Sequence, residues 1–157
     1  MLLRQVFNPK AINIHLLSED KDEVFEELIE ELVNVDPSLN RVAILDAVQE
    51  REAKMTTGIM PGIAVPHGKT KAVSGIKGVI GISKNGIQYE SLDNKPVHVV
   101  FMLVYSPDGC EKHLEVLKIV AKILEDPSFY QSLLTVETSE AAYDLVCKYE
   151  SKLFTKM

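Results

Sequence analysis

The stretch Thr56-Thr57-Gly58-Ile59-Met60-Pro61-Gly62-Ile63-Ala64-Val65-Pro66-His67-Gly68 decides how this chain is read. Proline fixes φ at about −65° and biases the residue before it toward extended backbone. Glycine accepts almost any φ/ψ and adds no side chain to screen its neighbour. Prolines and glycines surround Ile63-Ala64-Val65, and His67 sits between Pro66 and Gly68. The spacing predicts a glycine-rich loop, a short buried strand and then an imidazole presented on a defined backbone.

Outward from this stretch, Val97 to Tyr105 is almost continuously apolar and predicts a fully buried strand. Ile12-Asn13-Ile14-His15-Leu16 alternates and predicts a strand with its three apolar residues on one face. Val79–Ser83 and Ile87–Tyr89 flank Asn85-Gly86, a short hairpin signal. Asp93 to Pro96 and Ser106 to Gly109 read as turns, and residues 1–10 as a loose lead-in. Asp20 and Glu23 outline a helix start. Behind them Val24, Phe25, Leu28, Ile29, Leu32 and Val33 repeat at helical spacing. A second helix is expected from Ser38 or Asn40 to about Met55, burying Val42, Leu45, Val48 and Ala53. A third is expected from about Glu111 to Leu124, with Leu114, Leu117, Ala121 and Leu124 on one face. Phe129–Leu134 and Ser139–Tyr149 read as two more, the last turning Ala142, Leu145, Val146 and Tyr149 inward. Helices mixed with long buried strands predict an α/β fold, a three-layer α/β/α sandwich around a mixed β-sheet.

With 157 residues, 46% of them hydrophobic, the chain is long and apolar enough for one globular domain with a real core. A net charge of −6 argues against nucleic-acid binding, which needs a basic stripe. No apolar run reaches the roughly 18 residues of a membrane span. Met1 to Gln5 lacks the pattern of a secretory leader, and Cys110 and Cys147 cannot form a disulfide framework. A cytoplasmic location is expected.

Three roles compete for His67. A general base wants a nucleophile beside it, and no Gly-x-Ser-x-Gly motif is present. A metal ligand wants partners, and Cys110 with His113 has no second pair to complete a zinc set, so no metal is expected. A phosphoryl acceptor needs a neutral imidazole, and at an ordinary pKa of about 6.5 the ring is one at cell pH. Phosphohistidine then needs donors and positive charge, which a helix N-terminus, an arginine and hydroxyls supply. His113 lies in the first turn of the third helix. Arg51 lies in a last turn, where the helix dipole alone favours it. His98 reads as a core or edge histidine.

Arg51-Glu52-Ala53, Thr56-Thr57-Gly58, Gly62 to Gly68 and His113-Leu114 with Leu117, Ala121 and Leu124 together resemble the IIA component of the phosphoenolpyruvate-dependent sugar phosphotransferase system, fructose/mannitol type. The resemblance covers about residues 10–150 and implies a mixed sheet between helical layers in a single domain. It implies that His67 receives a phosphoryl group from the phosphocarrier HPr and passes it to a cysteine of a IIB domain serving a membrane permease. His113 would steady the imidazole or the phosphate, Arg51 would offset its charge, and Thr56, Thr57 and Gly68 would lie in the phosphate neighbourhood. The phosphate would sit on Nε2, leaving Nδ1–H in need of an acceptor. No cofactor is implied. A regulatory relative, the nitrogen-type IIA protein that signals by binding other proteins, keeps the same histidine. Thr56-Thr57 stands where the family often has Ser-Thr, Met60-Pro61 departs from its usual pair, and Cys110 matches no family role.

Overall fold

The computed structural model describes residues 2–155. At its centre runs β5, Val97–Tyr105. Val99, Phe101 and Leu103 enter one core cluster, and Val100, Met102 and Val104 the other. A strand covered on both faces has no water for its backbone, so both edges must be paired. Along one edge lies β4 (Ile76–Ile87), antiparallel. Along the other lie β2 (Ile63–Ala64) and β3 (His67–Lys69), both parallel to β5. β1 (Ile12–Asn13) pairs parallel with the outer side of β4.

Helices cover both faces. α2 (Lys21–Val35) and α3 (Arg41–Lys54) bury Val24, Phe25, Leu28, Ile44 and Val48 against one face. α1 (Leu2–Val6), α4 (Cys110–Leu124), α5 (Pro127–Leu133) and α6 (Ser139–Thr155) pack on the other. The three-layer α/β/α sandwich with a mixed sheet is the observed architecture. Helix starts follow side-chain chemistry: Asp20 accepts from Glu23 N at 2.9 Å, and Asn40 from Ala43 N at 3.1 Å. The return arm of the Asp20–Glu23 pair reaches Glu19 N, one residue before the cap. All six apolar residues expected inward from α2 are buried.

Five local expectations change. Met1 lies outside the described residues, but residues 2–10 are no loose lead-in: Leu3, Val6 and Phe7 are buried, and the Leu3 N–H donates to the buried Glu150 carboxylate at 3.0 Å. In the β1 region only Ile12 and Asn13 form a strand, with Leu16 N returning to Ile82 O at 3.0 Å, and Ile12 and Ile14 enter one core while Leu16 enters the other. Asn85-Gly86 is not a hairpin turn. β4 runs through it with a register shift between Ile82 and Ile87, and Gly86 takes φ 90° as a bulge residue. α3 buries Ile44, Val48 and Glu52 instead, leaving Val42 65% exposed and Ala53 outside. α4 turns His113, Val116, Val120 and Ile123 inward, leaving Leu114 59% exposed and Ala121 outside. Glu111, Glu115, Lys118 and Lys122 mark one exposed face of α4, and the apolar arc they leave is wide enough that tertiary contacts decide which part of it is buried.

β3 approaches α3 very closely. A Cβ on Gly68 would lie 2.8 Å from both the Ala47 carbonyl carbon and the Val48 nitrogen. These are backbone atoms of a helix and cannot swing aside. Gly68→Ala is therefore expected to cost about 1–3 kcal/mol by overpacking and to lower the melting temperature by several degrees. Thermal unfolding followed by circular dichroism checks this, and an unchanged midpoint would show that α3 can retreat from β3 freely.

Candidate functional site

The parallel pairing of β3 with β5 places His67 opposite Leu103, with Leu103 N donating to Pro66 O at 3.0 Å. Proline has no N–H to give this ladder, but its carbonyl serves as an acceptor. β5 ends at Tyr105, and Ser106–Gly109 turns the chain into α4. The first turn of α4 then lays His113 flat on Tyr105, ring centroids 3.6 Å apart and planes 13° apart. The same turn brings His113 beside His67, ring centroids 5.2 Å apart. Two histidines 46 residues apart in sequence thus meet because their elements flank the same end of one buried strand.

The His67 Nδ1 lies 3.0 Å from the Val65 carbonyl oxygen. A carbonyl oxygen only accepts, so Nδ1 carries the proton and the neutral ring keeps its lone pair on Nε2. Burial holds the His67 pKa below the ordinary histidine value, the Val65 bond opposes this, and the nearby Arg51 charge lowers it further. His113 is pushed down to about 4, first by burial and then by His67. Both rings are neutral at pH 7. Only His113 is fully buried, with its Nδ1 meeting no partner among the described residues.

His67 opens onto a cleft of ≈ 230 Å³ between the 55–65 loop and α4. Its walls are mostly apolar, with Met55, Ile59, Met60 and Ile63 facing Leu117 and Val120. Arg51 lines the same cleft and donates from Nη1 to Met55 O at 2.8 Å. That bond satisfies a carbonyl at the helix end, so the helix-end reading of Arg51 and its place beside His67 hold together.

The structure thus gathers His67, His113 and Arg51. Thr56 is half-buried on the cleft wall, its hydroxyl accepting from Gly58 N at 3.1 Å. Thr57 turns its hydroxyl to Glu52, at 2.5 Å. Gly68 is buried with its α-carbon toward α3. His98 lies elsewhere, bonded through Nδ1 to the Ser83 carbonyl. Sequence reasoning assigned no role to Glu52, Tyr89 or Tyr105. Glu52 had a signal: it continues the Ile44–Val48 stripe at intervals of four, so a carboxylate falls on the buried side of α3.

Among the described residues no helix is long and apolar enough to cross a membrane. A fructose-specific EIIABC component of Bacillus subtilis is 31% identical over 150 residues, 96% of this chain but 24% of that protein. The chain thus spans about a quarter of that relative. A fructose-specific EIIA component of Haloferax volcanii is 33% identical, over 82% of this chain and 83% of its own length. A nitrogen regulatory protein of Escherichia coli is 30% identical over 94% and 91%. Among solved structures, the nitrogen regulatory protein IIA-Ntr of Neisseria meningitidis superposes with a TM-score of 0.86 at 26% identity, covering 93% of this chain and 99% of that one. The IIA mannitol protein of Escherichia coli shares the fold, with a TM-score of 0.72 at 21% identity over 88% and 97%. The family described as "Phosphoenolpyruvate-dependent sugar phosphotransferase system, EIIA 2" matches residues 5–149, and this chain belongs to it.

Proposed function

We propose that His67 is a phosphoryl carrier, taking the group from the phosphohistidine of HPr and handing it to a cysteine of a IIB domain that serves a membrane sugar permease, in the cytoplasm. The observation that carries this reading is the 3.0 Å bond from His67 Nδ1–H to the Val65 carbonyl, which leaves the Nε2 lone pair free in an open cleft. In the first step that lone pair attacks phosphorus, the donor's P–N bond breaks, and its electron pair returns to the donor ring. In the second the partner's thiolate attacks, the P–Nε2 bond breaks, and the pair returns to Nε2.

The surroundings suit this. A neutral nucleophile needs no proton removed before attack. Arg51 brings a permanent charge and further N–H donors toward the phosphoryl oxygens. With no partner among the described residues for its buried Nδ1, His113 leaves a lone pair there at less cost than an orphaned N–H, which puts its proton on Nε2. The apolar cleft, with Met55 and Ile59 more than half exposed at its rim, gives a transient partner a small dry centre.

A second reading is regulatory, phosphorylation of His67 governing binding to another protein. The 30% identity to nitrogen regulatory proteins over nearly the whole chain favours it. Transfer to a IIB cysteine separates the two, because a regulator keeps its phosphate in the presence of that domain.

The test is intact mass after incubation with phosphoenolpyruvate, enzyme I and HPr. Wild type is expected to gain one phosphate, and His67→Ala none while melting cooperatively. No phosphate on wild type from a competent carrier would sink the proposal. His113→Ala is expected to slow acceptance by about 10²-fold, the cost of losing one aimed donor. Undiminished transfer would remove His113 from the site.

The depressed His67 pKa also predicts a pH profile. Protonated Nε2 cannot attack, so the rate falls only as pH drops through a value below that of a free histidine. A rate already halved at pH 6.5 would contradict the burial of the ring. His113 also makes stability depend on pH. Between about 6.5, where it titrates unfolded, and about 4, the unfolded chain binds more protons. Stability is therefore complete above that window and falls with pH across it, by up to about 3 kcal/mol. Denaturant titrations at several pH values check this, and His113→Gln is expected to flatten the slope.

A further inference from the structure

We infer that Glu52 is a positioning residue of this site, holding the His67 imidazole in its reactive tautomer through Thr57 and Val65. The inference rests on the phosphoryl-acceptor reading of His67 and names what keeps that acceptor ready.

Glu52 is 7% exposed, near the end of α3. A buried carboxylate is costly unless donors surround it. Here Thr57 gives two, its N–H to Oε2 at 2.7 Å and its hydroxyl to Oε1 at 2.5 Å. The Tyr89 hydroxyl gives a third to Oε1 at 2.8 Å. Lys21 lies 3.4 Å from Oε2 and also over the Tyr89 ring. The donors come from three places: the start of α2, the loop after α3, and the residues beyond β4. The carboxylate ties them together behind the cleft.

From there the grip runs forward by hydrogen bonds. The Thr57 carbonyl accepts from Val65 N at 3.2 Å. The carbonyl of that same Val65 accepts from His67 Nδ1–H at 3.0 Å. Thr57 thus holds one end of Val65 while His67 leans on the other. If Thr57 is released, Val65 loses the bond that sets the direction of its carbonyl. An unrestrained neutral imidazole favours the opposite tautomer, with the proton on Nε2. That proton would occupy the lone pair that attacks phosphorus. The sequence places Glu52 beside Arg51, yet the two side chains divide the work: Arg51 faces the cleft, and Glu52 faces the loop that builds it.

The experiment reads the tautomer directly, on unphosphorylated protein with no carrier present. Imidazole ¹⁵N shifts of His67 are recorded above its pKa for wild type, Glu52→Gln, Thr57→Val and Lys21→Met, each verified as folded by cooperative melting. In Glu52→Gln the side chain keeps its shape but turns an N–H₂ or a weaker oxygen toward Thr57. Wild type is expected to show one tautomer, protonated on Nδ1. Glu52→Gln is expected to show a mixture with Nε2–H, and a phosphoryl-acceptance rate lower by roughly ten- to a hundredfold, as for a misplaced reacting group. Lys21→Met removes the ion pair but not the Thr57 grip, and is expected to keep the wild-type tautomer. Should Glu52→Gln fail to fold, Thr57→Val removes one arm of the same grip and is read in the same way. An unchanged tautomer in folded Glu52→Gln or Thr57→Val overturns the inference. A shifted tautomer in Lys21→Met does so too, because general loosening would then explain all of it. Failure of wild type to take phosphate would instead strike the carrier reading and leave the tautomer result standing.

Discussion

The structure depends on the pairing of a strand that has no wet face. β5 is apolar on both sides, and burying each of its large side chains stabilises the fold by about 1.5–3 kcal/mol. That gain survives only if every backbone N–H and C=O of β5 finds a partner. β4 satisfies one edge. The other is satisfied by two short pieces, Ile63–Ala64 and His67–Lys69, separated by Val65-Pro66. The interruption between them is the site. At Val65-Pro66 the chain leaves the ladder for two residues, the Val65 carbonyl turns to the His67 ring, and the Pro66 carbonyl rejoins β5.

The electrostatics follow from placing two imidazoles at the margin of a core. Burial disfavours the charged imidazole, so His67 and His113 both resist protonation, His113 down to about 4. Stacking on Tyr105 covers one face of His113, and the His67 ring lies close by. A pair of charged rings at this spacing would repel, whereas a neutral pair leaves Arg51 as the permanent positive charge beside His67. On the proposed carrier reading, one charge with several donors suits a group that is held and then released. A cluster of cations would hold phosphate and slow its departure.

The opposed fates of α3 and α4 show how tertiary contacts choose among faces. α3 could have buried Val42, but β3 passes so close that the Ala47–Val48 backbone meets Gly68, which commits Ile44, Val48 and Glu52 to the interior. A carboxylate there becomes tolerable because Thr57, Tyr89 and Lys21 arrive from elsewhere in the chain. In α4 the stacking of His113 on Tyr105 sets the phase, and the Leu114–Ala121 side is left outside. Leu117 and Ala121 consequently line the cleft beside His67. The residues the periodicity would have spent on the core instead form part of a surface next to His67.

Sequence by itself determined the layers and the presentation of His67. Apolar runs demand burial, Asp20 and Asn40 start helices, and a histidine between Pro66 and Gly68 stands on a backbone with few choices. These are local constraints, set by sterics and by hydrogen bonds within a few residues. The resemblance to the family could name His113 and Arg51 but gave Nδ1 no acceptor. Only the tertiary structure decided that the acceptor is the Val65 carbonyl, that Asn85-Gly86 bulges within a strand instead of turning it, and that Glu52 is interior. Each of these turns on a partner outside the residue's own element: Thr57, across the loop, for Val65, β5 for the bulge, Tyr89 and Lys21 for Glu52. Periodicity reports which side chains avoid water, and carries no record of which donor will come to meet a buried acceptor.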